Sequence, residues 1–259
     1  ALLTCLASVC VADRVEPNVL WIDTDDQSPW YSAYDEQLIQ TPNIDALASE
    51  GVVFRRAYAP VPVCAPTRSA MITGTYPIRN GTHDMRSSRT PEYPIHLPPD
   101  TKTLPELFRE AGYETFAATK DDFNFVYDRN ALYSIGNENT KKVDARSWKG
   151  ASGGGSWRDV TEGRPFYGKI AIAGGKGIRD INAHLKSLGL EPVQPANVRV
   201  PAQYPDLPQV RKHIADHYNS ILRTDHALGE VMAQLKKDGL WGNTIIFLYS
   251  DHGSDLPRS

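Results

Sequence analysis

The segment PNVLWIDTDD, residues 17–26, is a short apolar run that ends abruptly in acidic residues. A run of this kind is typical of a strand buried on both faces of a sheet. The segment NTIIFLYSDHG, residues 243–253, repeats the pattern and ends in Asp251 and His252. In open α/β sheets, ligands bind beyond the carboxyl ends of the strands. The two segments therefore predict strands that bring their polar ends to one shared site.

Helix signals separate the two strand segments. Thr41 and Pro42 are an N-cap and a first helical residue before a run that stops at Gly51, and residues 103–112 repeat this design. Over residues 210–237, apolar side chains recur at helical spacing and lead into the second acid-ended strand. This alternation predicts an α/β fold with a largely parallel central sheet flanked by helices.

The composition is that of a globular chain without a strongly charged surface. With 259 residues, 41% of them hydrophobic, the chain can bury a sizeable core, and we expect one large domain. The net charge of -3 predicts no broad cationic surface, which argues against nucleic acid and anionic membranes as partners. Small polar substrates are compatible with this charge.

The first twelve residues form an apolar run that ends in small residues before Asp13. This pattern is typical of the back half of a secretory signal peptide, and the run is too short to span a membrane. A first buried strand is the alternative interpretation. We expect an exported chain, periplasmic or extracellular, whose mature part begins near Asp13.

Removal of such a leader would leave Cys64 as a lone cysteine, either a buried small hydrophobe or a chemically used group. Residues 62–74, PVCAPTRSAMITG, place Pro66 in a first helical turn and Gly74 at its end. The free N–H groups at a helix start favour negative charge. Arg68, about one turn on, adds a cation whose planar donors suit an oxyanion. Cys64 is therefore predicted to lie in an anion-binding environment.

This segment carries a resemblance to a known family. Cys64, Pro66 and Arg68 match the C-x-P-x-R signature of type I sulfatases, the formylglycine-dependent enzymes of the alkaline phosphatase superfamily. Further segments resemble the family in the same order, namely residues 17–27, 41–58 and 242–253. Together the resemblance extends over nearly the whole chain.

The resemblance implies a sulfuric ester hydrolase acting on a sulfated small molecule or glycan, and we expect sulfated carbohydrate. In this family a maturation enzyme oxidises the cysteine, here Cys64, to formylglycine, which acts as the aldehyde hydrate. One geminal hydroxyl attacks the sulfur of the ester; the other then loses its proton and expels sulfate, which restores the aldehyde. An unmodified thiol could not perform that second step.

The resemblance also implies a site for a divalent metal. Its ligands would be Asp25, Asp26, Cys64, Asp251 and His252. Carboxylate oxygens suit Ca²⁺ or Mg²⁺, and we expect Ca²⁺. Because side chains alternate along a strand, Asp25 and Asp26 can both bind only if the chain turns where the strand ends. Acids that merely cap loops in solvent are the alternative for either cluster alone.

Four further residues are candidates for the substrate pocket. Lys120 lies where the family often has G-K-x-H and would contact sulfate or the nucleophile, whereas Asp122 stands where a His commonly serves, which leaves the leaving-group acid open. Lys176 follows the strand-like residues 164–175 and would supply a further cation; a solvated lysine in a glycine turn is the alternative. His83 follows the nucleophile helix closely, and a structural or surface role is its alternative.

Family members usually continue beyond the second metal strand with a catalytic lysine and a smaller C-terminal subdomain. We therefore expect residues 17–259 to be a truncated N-terminal sulfatase catalytic domain that lacks this subdomain. Two other functions stay open. One is a phosphonate or phosphate ester hydrolase of the same superfamily, and the other is a noncatalytic relative that binds sulfated glycans.

Overall fold

The computed structural model describes residues 16–85, 94–118, 120–136, 155–175 and 180–254. Within them, four strands form one parallel sheet in the order β2-β3-β1-β4. The strands are β1 (Asn18–Thr24), β2 (Glu114–Ala117), β3 (Phe166–Ile172) and β4 (Thr244–Ser250). The two acid-ended strands, β1 and β4, are hydrogen-bonded neighbours, so the predicted parallel α/β sheet and the shared strand edge are confirmed.

Helices fill the connections between these strands. Those in the described residues are α1 (Pro42–Ser49), α2 (Cys64–Thr73), α3 (Pro77–Asn80), α4 (Leu104–Glu110), α5 (Arg129–Leu132), α6 (Ile181–Ser187) and α7 (Pro208–Lys237). The predicted N-caps Thr41 and Thr103 directly precede α1 and α4. At Thr103 the cap is a reciprocal capping box with Glu106, which satisfies two backbone N–H groups that the helix leaves without an internal partner.

One face of the sheet packs on α1 and α7. Leu20, Ile22 and Ile170 point to this face and form the main apolar core with Ile44 of α1 and Leu228 of α7. These side chains are almost completely buried, and full burial of one Leu or Ile is worth about 1.5–3 kcal/mol. The packing of this core fixes the position of α7 against the sheet.

The opposite face carries an aromatic cluster around Trp21 of β1. Its ring makes edge-to-face contacts with Tyr167, Phe247 and Tyr249, and Tyr167 in turn stacks on Phe108 of α4. These contacts join three neighbouring strands on the side of the sheet where α4 lies. They fix the strands against one another just below the predicted site.

Some expectations fall outside the described residues. The apolar run of residues 1–12 and the lysine at position 176 both do so. Among the helices that the structure describes, none is both long and apolar enough to cross a membrane.

Candidate active site and metal centre

The chain turns sharply where β1 ends. Asp26 adopts φ 56°, in the left-handed region that Asp tolerates better than most residues. The N–H of Asp251 donates to Thr24 O at 3.0 Å, and the N–H of Asp26 donates to Asp251 Oδ1 at 3.0 Å. These bonds tie the end of β1 to the end of β4. The turn expected from the alternation of Asp25 and Asp26 is thus present.

The loop after β3 lies unusually close to this turn. A Cβ atom on Gly174 would lie 1.7 Å from Asp25 O, and one on Gly175 would lie 2.3 Å from Asp26 O. The N–H of Gly175 donates to Asp25 O at 2.7 Å. Only glycine allows this approach, because a side chain would overlap the acidic turn. The glycine pair therefore shapes the floor of the site, a role that the sequence reading did not assign to it.

The predicted nucleophile helix is confirmed as α2, which starts at Cys64 and is followed by Gly74 at φ 61°. The Cys64 side chain is buried, and its Sγ lies 3.5 Å from Asp26 Oδ1 and 3.3 Å from His252 Nε2. The packing of α2 on the strand ends thus places the thiol inside the polar cluster.

Four predicted metal ligands converge here. Asp26, Cys64, Asp251 and His252 each offer one donor atom, and these atoms all lie within 4.8 Å of one another. Two carboxylates and an imidazole are ordinary ligands for a divalent cation, so the residues fit such an ion. Asp25 lies beside this group, because Arg68 donates both to Asp25 Oδ1 and to Asp251 Oδ2.

The neighbouring carboxylates Asp25 and Asp251 differ in acidity. Burial and the contact with Asp25 raise the pKa of Asp251 to about 6, although Arg68 lowers it. Burial also acts to raise the pKa of Asp25, but the hydrogen bond with Asp251 and the cations Lys120 and Arg68 bring it below its ordinary value. Two ionised carboxylates this close together repel each other, and a bound divalent cation would offset that repulsion.

His252 is oriented by its backbone neighbour. Its Nδ1 donates to Gly253 O at 2.8 Å, and its Nε2 lies 2.9 Å from Asp26 Oδ1. Burial lowers the pKa of His252, but hydrogen bonds with Asp26 and Cys64 outweigh this and raise it to about 10. With Nδ1 held by Gly253, loss of the Nε2 proton would turn Nε2 into the ligand atom.

Arg68 is the central cation of the site. Its side chain is 3% exposed, and the guanidinium donates from Nε to Asp251 Oδ2 at 3.0 Å, from Nη2 to Asp25 Oδ1 at 3.1 Å and from Nη1 to Asp23. Burial disfavours its charge, but these carboxylates together raise the pKa of Arg68. The sequence predicts that Arg68 binds an oxyanion, whereas the hydrogen bonds of Arg68 in the structure fix three carboxylates.

Lys120 is brought into the site as expected. Its Nζ lies 2.7 Å from Asp25 Oδ1 and 3.3 Å from Asp122 Oδ2, and the side chain of Asp122, a residue with φ 54°, is 4% exposed. Burial and Arg68 lower the pKa of Lys120, but Asp25 and Asp122 raise it above the ordinary lysine value. Asp122 therefore pairs with the Lys120 ammonium and helps to keep it protonated.

Two charged residues of the site were missed. Asp23 and Lys169 lie inside β1 and β3, and both side chains are almost completely buried, with Lys169 Nζ 3.2 Å from Asp23 Oδ1. Lys169 Nζ also donates to the backbone carbonyl of Lys120 at 2.6 Å. The sequence does contain a sign of this pair, because each of the two largely apolar strands includes one charged residue.

Helix α7 supports the loop after β3 from behind. Arg223 donates from Nη2 to the carbonyls of Ala173 and Gly174 at 3.0 and 2.8 Å. His217 Nε2 accepts a hydrogen bond from the Ser28 N–H at 3.2 Å. The apolar spacing of α7 predicts only a packing helix, and these buried polar contacts with the site loops do not follow from it.

The Sulfatase family model matches residues 17–169 and 179–258. The chain belongs to the sulfatase family. It is 28% identical to the ulvan-active sulfatase of Formosa agariphila over 93% of this chain and 44% of that protein. It is 24% identical to human N-sulphoglucosamine sulphohydrolase over 94% of this chain and 52% of the relative. The chain thus spans about half the length of these curated relatives.

Solved structures share the fold. The phosphonate monoester hydrolase of Agrobacterium radiobacter superposes with a TM-score of 0.64 at 16% identity, over 92% of this chain and 63% of that one. At this identity the likeness concerns the fold alone. The family model, and not this likeness, places the chain among the sulfatases of the alkaline phosphatase superfamily, as the C-x-P-x-R resemblance implied.

The remaining candidates of this sulfatase chain lie apart from the cluster or beyond the described residues. His83 is half exposed, and its ion-pair partner among the described residues is Asp84 at 3.8 Å. Lys176 is outside the described residues, although the preceding Gly175 lies against the acidic turn. Pocket roles for His83 and Lys176 stay predictions.

Proposed function

We propose that the protein is a metal-dependent hydrolase of sulfate esters and that its substrates are sulfated carbohydrates. The observation that carries this is the position of Cys64. The residue of the C-x-P-x-R signature lies at the start of a helix, within a cluster of carboxylates and cations at the carboxyl ends of β1 and β4. Family membership supports the reaction, and two relatives whose names specify ulvan and N-sulphoglucosamine support the substrate class.

Formylglycine derived from Cys64 would supply, as its hydrate, both the nucleophilic hydroxyl and the group that later expels sulfate. Ca²⁺, with Mg²⁺ as the alternative, would supply positive charge for the sulfate oxygens. The residues that would hold the ion are Asp25, Asp26, Asp251 and His252, with the modified residue 64. Arg68 keeps three carboxylates in place through its hydrogen bonds, which maintains the geometry of this donor set.

Lys120 is the cation best placed to bind the substrate. The side chain of Lys120 is 29% exposed, whereas that of Arg68 is 3% exposed. Lys120 therefore offers donors to a sulfate oxygen while Asp25 fixes its direction. Asp122, paired with the same ammonium, holds Lys120 from a second side, and its side chain is only 4% exposed, too little to serve as a solvent-facing acid.

Export and maturation belong to the same proposal. The apolar residues 1–12 support export to the periplasm or the outside of the cell. The side chain of Cys64 is 1% exposed in the folded chain, so a formylglycine-generating enzyme would have to reach it before α2 packs against the strands. The maturation enzyme is therefore a proposed partner of the unfolded or partly folded chain.

The decisive experiment is expression with a formylglycine-generating enzyme, followed by mass spectrometry of the tryptic peptide 57–68 and by rate measurements on matched aryl sulfate and aryl phosphate esters. We expect an aldehyde at residue 64 and a higher kcat/KM for the sulfate ester. The Cys64→Ala variant is the control and should show neither. A cysteine that stays unmodified would support the noncatalytic alternative, and faster phosphate or phosphonate cleavage would support the other hydrolase.

A further inference from the structure

The sheet contains a buried ion pair directly beneath the proposed site. Asp23 of β1 and Lys169 of β3 belong to hydrogen-bonded neighbouring strands, in which Asp23 is in register with Ala171 and Lys169 with Trp21. They are thus diagonal neighbours on the same face of the sheet. Their side chains are 1% and 3% exposed, and Nζ lies 3.2 Å from Oδ1.

Stability alone does not explain this ion pair, because removing two charges from water costs free energy that their mutual attraction offsets only in part. Burial lowers the pKa of Lys169 although Asp23 opposes the shift. Replacing a buried ion pair by well-packed apolar residues of similar size is often neutral or stabilising. The adjoining strand positions are filled by aromatic and aliphatic side chains, so an apolar pair would be the simpler solution here.

Each member of the pair holds one cation of the site. Asp23 accepts a hydrogen bond from Nη1 of Arg68, which leaves Nε and Nη2 for Asp251 and Asp25. Lys169 donates to the backbone carbonyl of Lys120 at 2.6 Å, and the Lys120 ammonium in turn reaches Asp25 at 2.7 Å. The ion pair therefore joins the backbone behind Lys120 to the guanidinium of Arg68.

We propose that Asp23 and Lys169 are positioning residues, a buried brace that fixes where Lys120 and Arg68 stand relative to Asp25. This inference rests on the proposed function, because Lys120 and Arg68 matter for turnover only if the site hydrolyses an ester. Lys169 acts through the carbonyl of Lys120, which sets the origin of that side chain. Displacement of a positioned group by about 1 Å can cost on the order of 100-fold in rate.

The test compares Lys169→Met, Lys169→Arg and the double variant Asp23→Asn/Lys169→Met in the matured protein. We expect Lys169→Met to lower kcat by about 10- to 100-fold with KM changed less than about threefold. Lys169→Arg, which keeps a cation and donors, should recover part of the loss. In the double variant the charges balance again, so thermal stability should return toward wild type while kcat stays low. The control Lys212→Met removes an exposed lysine that pairs with Asp216 on α7, and it should leave kcat unchanged.

A second measurement does not depend on turnover. Acylation of lysine amines, read by mass spectrometry, should label Lys120 faster in Lys169→Met than in wild type, whereas the exposed Lys102 should be labelled equally in both. Wild-type kcat and wild-type labelling in Lys169→Met would overturn the inference, as would full recovery of kcat in the double variant. If the wild type has no esterase activity but Lys120 labelling still rises in Lys169→Met, the sulfatase proposal fails and the brace stands.

Discussion

At the residue scale, Asp25 is the carboxylate on which two site cations converge, Arg68 Nη2 at 3.1 Å and Lys120 Nζ at 2.7 Å. Asp25→Ala would leave both cations without this partner and remove a proposed metal ligand. Breaking a buried pair from one side costs about 3–5 kcal/mol. We expect turnover of the matured protein to be abolished and the melting temperature to fall.

The matched control is Asp206→Ala, which removes an exposed carboxylate paired with Arg211. Turnover and melting temperature should stay at wild-type values there. Retained turnover in the matured Asp25→Ala variant would count heavily against the proposed site.

Gly174 carries a second prediction at this scale. A methyl group at this position would overlap the carbonyl of Asp25, which is backbone and cannot swing away. We expect Gly174→Ala to lower the free energy of unfolding by about 3 kcal/mol, the upper end for overpacking. Gly242→Ala is the control, because a Cβ there meets no atom within 4 Å. Urea denaturation measures both, and equal midpoints would contradict the packing argument.

The individual residues also show what a sequence can reveal about a site. Cys64 and Asp26 could be placed because the first begins a helix signal and the second ends an apolar run. The Asp23–Lys169 pair could not be predicted in this way, because the two side chains meet only in the observed register between β1 and β3. Nothing in either segment alone fixes that register. Contacts between distant strands are therefore what sequence reasoning missed here.

At the element scale, α1 is capped by a residue of α7. Thr41 precedes α1 as predicted, but its side chain makes no capping bond to the helix. Instead, the N–H groups of Asn43 and Ile44 donate to Asp225 Oδ1 at 3.0 and 2.8 Å. The sequence located the start of the helix correctly, but the acceptor comes from a residue far away in the chain. The start of α1 is therefore capped only when α1 packs against α7.

This cap leads to the third prediction. Asp225→Ala would leave two N–H groups at the start of α1 without their acceptor, and loss of a helix cap costs about 0.5–2 kcal/mol. Because Asp225 is buried, we expect the upper end, about 2 kcal/mol, in the free energy of unfolding from chemical denaturation. Asp216→Ala, on the same helix and in a surface pair, should change it by less than about 0.5 kcal/mol. A similar cost for both variants would contradict capping by Asp225.

The strands differ in how well they could be predicted. β1 and β4 are seven residues long and end in polar groups, so their type and direction could be inferred. β2 has only four residues, Glu114–Ala117, and it begins two residues after Gly112, the glycine that ends the α4 segment. Its place in the sheet comes from pairing with β3, a contact between residues about 50 positions apart that no local pattern encodes.

At the scale of the whole molecule, the site gathers four carboxylates around three permanent cations, and His252 adds a fourth positive charge only while it keeps the Nε2 proton that metal binding displaces. The carboxylates are Asp23, Asp25, Asp26 and Asp251, and the permanent cations that contact them are Arg68, Lys120 and Lys169. Because these groups come from β1, α2, β3, β4 and the segment after β2, their mutual repulsion acts on the assembly of the entire sheet. A bound cation would therefore stabilise the fold globally.

A divalent cation should raise the melting temperature of the whole chain. An ion that binds only the folded state at 100 times its dissociation constant adds about 2.7 kcal/mol to the free energy of unfolding. We expect Ca²⁺ to produce such a shift and a chelator to reverse it, with Mg²⁺ less effective because it requires near-ideal octahedral geometry. Asp26→Ala should lose the shift, since it removes a carboxylate that lies within 4.8 Å of the other donors. Asp206→Ala, an exposed carboxylate, should keep it. The same Ca²⁺ shift in both variants would place the ion elsewhere, and its absence from the wild type with either ion would mean that the carboxylates are held by the arginine and lysines alone.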